Sequence, residues 1–413
     1  MTKRLADGAL KQTLAPSLFT PSQSAIDSTI ISSSLLRLSS SNLSTLVRGR
    51  TNVSIVAFDL DGTLIKTKSG RAFPKEANDW VWAFPDVVKT IRKAMGEGKL
   101  CVIFSNQASK LAVSTVQERI RQVLLGISLP AIAYAALAKD HYRKPDTGMW
   151  DHLQDYLSTE FNATVDVSAS IFIGDAAGRI ASSNPIRKQD FSHSDRAFAM
   201  NAGIEFKTPE EYFLGHEPLP FKIINPTQAL PEVPDRAALE AALAKLNNDQ
   251  DRELEILLLV GWPASGKSTF CRKYLSSYAI INQDVMKTAA KCLKLGEESL
   301  RRNRSICVDN TNFRKTSRSA WIALAQSLPF KCRVRVAKFE VDRVLAEHLN
   351  CVRAAQSSRS GLGPIKIPDV AYHTYAKFYV EPSTEEGICD IIPIPFVPEF
   401  TTDQNRLLFN RTY

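Results

Sequence analysis

The sequence lacks the features that mark a disulfide-rich, zinc-binding or membrane-spanning protein. Its seven cysteines are scattered along 413 residues and never form a Cys-x-x-Cys pair, so neither a disulfide framework nor a zinc site is indicated. Apolar runs stay below the roughly 18 residues that a membrane-spanning helix requires. No internal repeat is visible. We therefore expect a protein of a reducing compartment without a membrane segment.

Acidic residues are fewer than basic ones. The chain has 43 Asp and Glu against 52 Lys and Arg, a net charge of +9, which suits a polyanionic partner because each neutralised phosphate releases counterions. Residues 1–50 have Asp7 and Asp27 as their acids, with many serines and leucines. This composition buries too little apolar surface to offset ordering entropy, so it predicts a disordered basic arm. An organellar transit peptide has a similar composition and stays open as an alternative.

Short apolar runs in the block 51–217 are each followed directly by a polar side chain. Because open α/β sheets bind ligands beyond the carboxyl ends of their strands, this pattern predicts a site at one sheet edge. Helical patterns lie between the runs, so we expect a doubly wound parallel sheet. The runs that predict strands are 54–58, 100–104 and 170–174, and helical patterns cover 87–95 and 115–125.

A second block of the same α/β type follows a change in composition. Five closely spaced prolines interrupt regular structure, and we interpret 218–252 as an interdomain linker that ends in a lead-in helix over 236–246. The prolines are Pro218, Pro220, Pro226, Pro231 and Pro234. Apolar runs at 254–260 and 305–308 predict strands of a second doubly wound domain over 253–413.

The segment Asp59-Leu60-Asp61-Gly62-Thr63 predicts phosphoryl chemistry in the first block. A carboxylate at a strand end can attack phosphorus, and a second carboxylate two positions on can act as general acid and base. Asp59 is thus the candidate nucleophile and Asp61 the candidate acid/base. Gly62 permits the sharp turn, and we expect Thr63 to bond locally. The alternative is a purely structural role, in which the two carboxylates cap a loop.

The transferred phosphoryl group is highly charged, so the site also needs hydrogen-bond donors, a cation and a metal. Candidates follow in chain order: Ser105 or Asn106 as donor, with Asn106 positioning the substrate, Lys144 as cation, and Asp175 as metal ligand. We expect magnesium to be held by Asp59, Asp175 and the carbonyl of Asp61.

The second block carries a phosphate-binding loop after its first strand. Backbone amides of such a loop cradle phosphates, its lysine reaches the β and γ oxygens, and its Ser holds magnesium. Lys267 and Ser268 take these places, and ATP is the expected nucleotide. The loop residues are Gly261, Trp262, Pro263, Ala264, Ser265, Gly266, Lys267, Ser268 and Thr269. The segment 280–284 reads as a strand ending at Asp284, the candidate base for an incoming hydroxyl, or alternatively a helix N-cap.

The ordered motifs of the first block resemble the haloacid-dehalogenase-type phosphatases and, within them, the polynucleotide kinase 3'-phosphatase family. The resemblance spans about residues 51–396 and rests on the stretches 58–70, 104–107, 143–150 and 174–179. It implies a haloacid-dehalogenase-like phosphatase domain followed by a P-loop kinase domain. The order and the short N-terminal arm resemble the fungal form without a forkhead-associated domain.

The resemblance also implies roles for further residues. Asp284 lies in the family's Asn-x-Asp segment, although Gln283 stands where the family often has Arg. Asp309 matches a segment that positions substrate, and Arg353 matches a lid arginine that stabilises the transferring phosphoryl group; a strand-end turn residue and a surface arginine are the respective alternatives. Asp195 is implied as a further carboxylate near the metal that does not itself bind the ion.

We expect a DNA end-healing enzyme that hydrolyses 3'-phosphates and phosphorylates 5'-hydroxyls from ATP. RNA end healing stays open, as does an active phosphatase whose P-loop domain only binds nucleic acid or nucleotide. A kinase-phosphatase for small sugars is a third alternative, disfavoured by the basic second block and by spacings too short for a large cap domain. DNA strand ends are the expected partner, and repair factors are expected to contact the arm. We expect a monomer that is located in the nucleus. Because of the arm, an additional mitochondrial location stays open.

Overall fold

The computed structural model describes residues 25–108, 111–183, 186–223, 225, 227, 230, 234–247, 253–363 and 365–413. The chain forms two compact units, and the first ends at Ile223. No helix in the described ranges is long and apolar enough to cross a membrane.

The first unit alternates strands and helices as predicted. Its strands are β1 (Ile26–Ser32), β2 (Leu35–Ser40), β3 (Asn52–Phe58), β4 (Ile65–Lys66), β5 (Val81–Trp82), β6 (Leu100–Asn106), β7 (Ala131–Ala136), β8 (Thr164–Ile173), β9 (Ser182–Ser183), β10 (Ile186–Arg187) and β11 (Glu205–Lys207). Its helices are α1 (Leu43–Val47), α2 (Val87–Gly96), α3 (Val113–Ile127), α4 (Gly148–Phe161), α5 (Ser194–Ala202) and α6 (Pro209–Leu214).

Seven of these strands form one sheet in the order β1-β2-β7-β6-β3-β8-β11. The pairs from β7 to β11 are parallel, while the hairpin β1-β2 joins β7 antiparallel. Apolar residues pack on both faces: Val56 and Ile103 with α2 and α3 on one, Phe104 and Phe172 with α4 and α5 on the other. Burial on both faces explains why β3 and β6 read as continuous apolar runs.

The prediction of a disordered arm is wrong for its second half. Residues 26–47 form β1, β2 and α1, and Leu35, Leu36 and Leu38 are fully buried in the sheet cores. The serine- and leucine-rich composition was misleading because alternate leucines of β2 reach opposite faces of the sheet and gain burial from helices elsewhere in the chain. Residues 1–24 lie outside the described ranges.

The second unit is built around a five-stranded parallel sheet in the order β13-β14-β12-β15-β16. Its strands are β12 (Leu254–Val260), β13 (Ala279–Ile281), β14 (Ile306–Val308), β15 (Cys332–Glu340) and β16 (Asp390–Pro395). Its helices are α7 (Arg236–Leu246), α8 (Lys267–Tyr274), α9 (Gln283–Met286), α10 (Ala289–Arg301), α11 (Lys315–Ser327), α12 (Arg343–Arg359), α13 (Asp369–Phe378) and α14 (Asp403–Asn410), with a 3₁₀ turn at Thr384–Glu386.

Helices cover both faces of this sheet. Trp321 and Ile322 of α11 pack on one face, and Leu239 of α7 and Phe270 of α8 pack on the other. The prediction of two doubly wound α/β domains is therefore confirmed.

The predicted linker over 218–252 is shorter than expected. Phe221 forms an isolated antiparallel β-bridge with Arg179. Lys222 N also donates to Gly178 O at 2.9 Å, so this end belongs to the first unit. At the other end, α7 packs in the core of the second unit through Leu239 and Leu246. Proline spacing marked the interruption of regular structure but not the packing of its ends, which depends on distant residues.

Candidate active sites

The first site lies at the carboxyl edge of the first sheet. Asp59 directly follows β3, Ser105 lies at the end of the neighbouring β6, and Asp175 follows β8 on the other side. Asp59 N extends the pairing by donating to Ile173 O at 2.8 Å. Because adjacent parallel strands end at the same edge, residues up to 116 positions apart in sequence meet here.

Three carboxylates meet at this edge in a group we call the carboxylate cluster. One oxygen each from Asp59, Asp175 and Asp195 lie within 4.8 Å of one another. Burial raises the pKa of Asp59 well above its usual range and that of Asp175 to about 7, and the neighbouring carboxylates add to both shifts. Three hard oxygen ligands held together in this way fit a divalent cation, which would relieve their repulsion.

Two glycines leave the space that the carboxylate cluster occupies. A Cβ on Gly62 would lie 2.5 Å from Asp175 Oδ2, and one on Gly174 would lie 2.5 Å from Asp195 Oδ2. Gly62 also has a φ of +83°, which confirms the turn expected of it. Asp195 is a member of the cluster rather than a distant support, and its Oδ2 also accepts from Ala176 N at 3.0 Å.

Lys144 is the cation of this site. Its Nζ lies 2.6 Å from Asp59 Oδ1 and 2.8 Å from Asp195 Oδ1, and its side chain is buried. Burial acts to lower the pKa of Lys144, but the two carboxylates outweigh it and the pKa lies above its ordinary value. The lysine therefore stays charged, and it neutralises part of the cluster.

Asn106 holds this lysine in place. Its side-chain Oδ1 accepts from Lys144 N at 2.9 Å, and its Nδ2 donates to Lys144 O at 3.1 Å. Asn106 was predicted to position the substrate, and the structure shows its amide fixing the backbone that carries the cation. Strand-end polarity revealed that the residue belongs to the site but not which group it contacts.

Asp61 turns its carboxylate to a different set of partners. Arg119 Nη2 lies 2.5 Å from Asp61 Oδ1, and Gln107 Nε2 donates to Asp61 Oδ2 at 2.7 Å and to Ser105 Oγ at 2.8 Å. The side chain of Asp61 is 43% exposed, so it can meet a substrate while these contacts hold it.

One prediction about this loop needs revision, and one residue that contacts the loop was not predicted. Thr63 Oγ1 is buried and has no hydrogen-bond partner in the described part of the chain, so the expected local bond does not form; the loop is held by backbone bonds instead, such as Gly62 N to Ile65 O at 2.8 Å. Arg119 was missed entirely. A signal existed, because it shares the apolar helix face of Val116, Ile120 and Val123, where a charge needs a partner.

The second site begins where β12 ends. Gly266 has a φ of +92° and α8 starts at Lys267, so the loop amides and the helix N-terminus face one point, as an anion requires. Lys267 Nζ donates to Gly261 O at 2.9 Å, Trp262 O at 2.5 Å and Ser265 Oγ at 3.1 Å. Burial lowers the pKa of Lys267 to about 8.

The next two strands bring acidic and amide side chains to the same edge. Asn282 follows β13, its Oδ1 accepts from Asp284 N at 2.8 Å, and its Nδ2 donates to Asp309 Oδ2 at 2.9 Å. Asn282 is therefore the N-cap of α9, which removes the alternative that Asp284 is a cap. The Asp284 side chain is left exposed, facing the cavity beside the loop.

A cavity of about 870 Å³ joins these residues. It is lined by the loop from Pro263 to Thr269, by Asp284 and Asp309, and by Arg353 of α12. Arg353 Nη2 donates to Asn350 Oδ1 at 3.1 Å, whereas its buried Nε has no partner among the described residues. The cavity is large enough for a nucleotide, and its loop amides and buried cations match a polyphosphate.

A second groove of about 680 Å³ meets this cavity at Asp284. The two share Gln283, Asp284, Asn310 and Thr311. Lys287 and Arg314 line the groove, and the Arg314 guanidinium lies 4.2 Å from the ring centre of Phe378. Gln283 Oε1 accepts from Asn310 Nδ2 at 3.2 Å, so the residue that departs from the family pattern is tied to the wall of the groove.

Comparisons with known proteins find matches to both units of the chain. A family model described as polynucleotide kinase 3 phosphatase matches residues 54–213, and one described as an AAA domain matches residues 256–363. The bifunctional polynucleotide phosphatase/kinase of Schizosaccharomyces pombe is 36% identical over 349 residues, which cover 83% of this chain and 79% of that protein. The chain belongs to the bifunctional polynucleotide phosphatase/kinase family. Its first unit is the phosphatase unit and its second the kinase unit.

Other relatives differ in how much of the chain they match. A protein of Acanthamoeba polyphaga mimivirus is 32% identical over 373 residues, covering 83% of this chain and 85% of that protein. The polynucleotide 3'-phosphatase of Saccharomyces cerevisiae is 27% identical over 218 residues, covering 40% of this chain and 88% of that protein. Some relatives therefore match most of the chain, and others match a part of it.

Proposed function

We propose that this chain repairs DNA strand ends by removing a 3'-phosphate in the phosphatase unit and adding a 5'-phosphate from ATP in the kinase unit. The observation that supports the proposal is that one chain brings together two groups of residues suited to handling phosphoryl groups. One has a strand-end carboxylate beside a buried lysine, and the other has a phosphate-binding loop beside an exposed carboxylate. Together the two reactions convert an end that cannot be ligated into one that can.

In the phosphatase unit, Asp59 acts as nucleophile. Its carboxylate oxygen attacks phosphorus, the bond to the 3'-oxygen breaks, and Asp61 supplies the proton that the departing oxygen takes. Ser105 donates to the phosphoryl oxygens and Lys144 neutralises their charge. Asp59, Asp175 and Asp195, with the carbonyl of Asp61, would hold magnesium, which stabilises charge on the phosphoryl group when it is bound.

In the kinase unit, the loop amides and Lys267 hold the nucleotide phosphates, and Ser268 would hold magnesium. Asp284 accepts the proton of the incoming 5'-hydroxyl as its oxygen attacks the γ-phosphorus. Arg353 lies on the opposite wall, where its unpartnered Nε can donate to the transferring group. Asp309, bonded to Asn282, keeps the loop that bears Asp284 in register with the phosphate-binding loop.

The acceptor strand enters through the groove at Asp284. The groove meets the nucleotide cavity along residues that include Asp284, which must meet the 5'-hydroxyl. Its walls carry Lys287 and Arg314, which suit a phosphate backbone. The exposed ring of Phe378 beneath Arg314 adds a surface on which a base can stack. These features favour a polynucleotide over a free sugar or nucleoside as acceptor.

The test uses one DNA oligonucleotide with a 5'-hydroxyl and a 3'-phosphate, incubated with magnesium and ATP and analysed by mass. We expect wild type to remove one phosphate and add the other, Asp59→Asn to lose the first reaction alone, and Lys267→Ala to lose the second alone. Phosphate removal without 5' addition would overturn the kinase assignment. Faster turnover of the matching RNA would assign RNA ends instead.

We further propose that the protein acts in the nucleus as a monomer. Two complementary sites on one chain require no second copy, and the net charge of +9 suits a DNA-bound protein. Fractionation of cells expressing the tagged chain, with and without residues 1–24, tests the location and whether the N-terminal arm directs it.

A further inference from the structure

Arg119 is a charged side chain in an apolar place. It lies on α3 and is 1% exposed, among core residues that include Ile120 and Val123. Its Nη2 lies 2.5 Å from Asp61 Oδ1 and its Nη1 lies 3.3 Å from Asp61 Oδ2, whereas its buried Nε has no partner in the described part of the chain. Burying a guanidinium costs several kcal/mol unless it is well paired. The fold thus accepts this cost beside the catalytic loop.

Gln107 makes the second contact to the same carboxylate. Its Nε2 donates to Asp61 Oδ2 at 2.7 Å and to Ser105 Oγ at 2.8 Å. Both oxygens of Asp61 therefore accept hydrogen bonds, from a helix on one side and from the end of β6 on the other. A short side chain held at both oxygens has one orientation, and here that orientation is linked to the hydroxyl of the phosphate site.

We propose that Arg119 and Gln107 are positioning residues that hold the Asp61 carboxylate for its role as base in the second half-reaction. This inference rests on the proposed phosphatase activity and concerns residues to which that activity assigns no role. Donors at both carboxylate oxygens fix the direction in which the Asp61 carboxylate faces, and a base must face the water from which it takes a proton.

The chemistry of that step balances as follows. In the first half-reaction the P–O bond to the leaving group breaks, and the protonated form of Asp61 gives its proton to that oxygen, leaving a carboxylate beside Arg119. In the second, this carboxylate takes a proton from water, the water oxygen bonds to phosphorus, and the bond from phosphorus to Asp59 Oδ breaks. Inorganic phosphate leaves, and both aspartates return to their starting states.

A purely stabilising role does not explain the arrangement. An apolar side chain of similar volume at a buried ion pair is often neutral or stabilising, and α3 already offers Val116, Ile120 and Val123 to the core. Stability alone therefore gives no reason for an arginine here. The reaction does, because Asp61 is partly exposed and the arginine restricts the directions in which its carboxylate can turn.

The experiment uses the full chain and p-nitrophenyl phosphate with magnesium, since p-nitrophenolate departs without a proton and the first half-reaction then needs no acid. We compare wild type with Arg119→Met, Arg119→Lys and Gln107→Leu. The matched control is Arg121→Met, on the same helix but 45% exposed and paired with Glu118. Rapid quenching measures the first-turnover rate and the steady-state rate for each protein.

We expect the ratio of first-turnover to steady-state rate to rise about tenfold in Arg119→Met and Gln107→Leu, a fraction of the roughly 10²–10⁴ that acid–base catalysis contributes. Arg119→Lys should restore part of the loss, and Arg121→Met should match wild type. Misfolding lowers both rates together and leaves the ratio unchanged. If Arg119→Met does not fold, Gln107→Leu decides alone.

An unchanged ratio in the folded variants would overturn the inference and leave Arg119 a structural residue. The aryl ester contains no DNA, so this outcome is distinct from a failure of the proposed function. That failure would appear as wild type that turns over p-nitrophenyl phosphate but leaves 3'-phosphate DNA intact.

Discussion

The phosphatase and kinase sites reach opposite solutions to the same problem, the handling of phosphoryl charge. In the phosphatase unit the cation is paired before any substrate arrives, because Lys144 contacts two carboxylates of the cluster. In the kinase unit the Lys267 ammonium donates to neutral oxygens of its own loop, and burial lowers its pKa to about 8. In one site the lysine is already paired with acidic side chains, and in the other the lysine meets negative charge when the nucleotide binds.

The difference matches the substrates that each unit handles. A single phosphoryl group at a strand end carries little binding surface, so its site benefits from partners already in place. A nucleotide brings several charges and an adenosine to a cavity of about 870 Å³. The cations of the kinase site therefore need no acidic partner before the nucleotide binds. Disturbing each site separately tests this comparison.

The largest expected effect comes from Asp59→Asn, which removes the attacking oxygen. We expect phosphatase activity on a 3'-phosphate oligonucleotide to fall by roughly 10⁴-fold or more, as for other nucleophile replacements, while 5'-phosphorylation stays at the wild-type rate. Release of inorganic phosphate measures the first and incorporation of labelled phosphate the second. Asp155→Asn, at an exposed position on α4, is the control and should change neither. Residual turnover near wild type would remove Asp59 as nucleophile.

Lys267→Ala should have the next largest effect, on the other activity. Loss of the ammonium that meets the β and γ oxygens should lower 5'-phosphorylation by about 10²–10³-fold and leave phosphatase activity intact. Lys291→Ala, an exposed lysine on α10, is the matched control. Because Lys267 is buried, thermal unfolding of both variants should accompany the kinetics. Kinase activity that survives the change would place nucleotide binding elsewhere.

The dependence on pH should separate the two lysines. Free Lys267 loses its proton as pH rises through about 8, whereas bound phosphates favour the ammonium form, so binding takes up a proton above that pH. Affinity for a non-hydrolysable ATP analogue should therefore fall by up to about tenfold per pH unit above pH 8 and be flat well below it. Calorimetry between pH 6.5 and 9.5 measures this.

Lys144 should keep its proton over the same pH range, because its carboxylate partners raise its pKa above the ordinary value. An affinity for the analogue that stays constant to pH 9.5 would contradict the proposed contrast between the sites.

Removing divalent cations should expose the strain in the carboxylate cluster. Burial raises the folded-state pKa of Asp175 to about 7 and that of Asp59 as well, so the folded protein holds protons that the unfolded chain releases. In chelator, stability of the phosphatase unit should thus fall as pH rises from about 4 through 7. Magnesium at saturating concentration should raise its Tm at pH 8 by roughly 5–10 °C.

The same increase should be much smaller at pH 5, where the cluster is partly protonated, and in Asp175→Asn, which removes one ligand. Scanning calorimetry of the full chain checks all three. A magnesium effect of equal size in wild type and Asp175→Asn would show that the cation binds elsewhere.

The strands and the residues at their ends were accessible to sequence reasoning because both depend on local pattern. The helix predicted over 236–246 has those bounds in the structure, and the strand runs at 54–58 and 254–260 fall within β3 and β12. The hairpin at 26–40 was not accessible, since its leucines become core only when β7 and α3 supply the other side. Arg119 was missed for a related reason, because its partner lies 58 residues away.

By itself the sequence determined which chemistry the chain can perform. The features that indicate it are a strand-end pair of aspartates, a phosphate-binding loop and an aspartate after the next strand. Each is a local arrangement, because its spacing is tied to the strands and helices that it adjoins. Only the tertiary structure decided which groups meet. It placed Asp195 directly in the carboxylate cluster, set Asn106 on the backbone of Lys144, and paired Asp61 with a buried arginine. These contacts join distant parts of the chain, so a local pattern can mark a buried charge but cannot record which partner that charge meets.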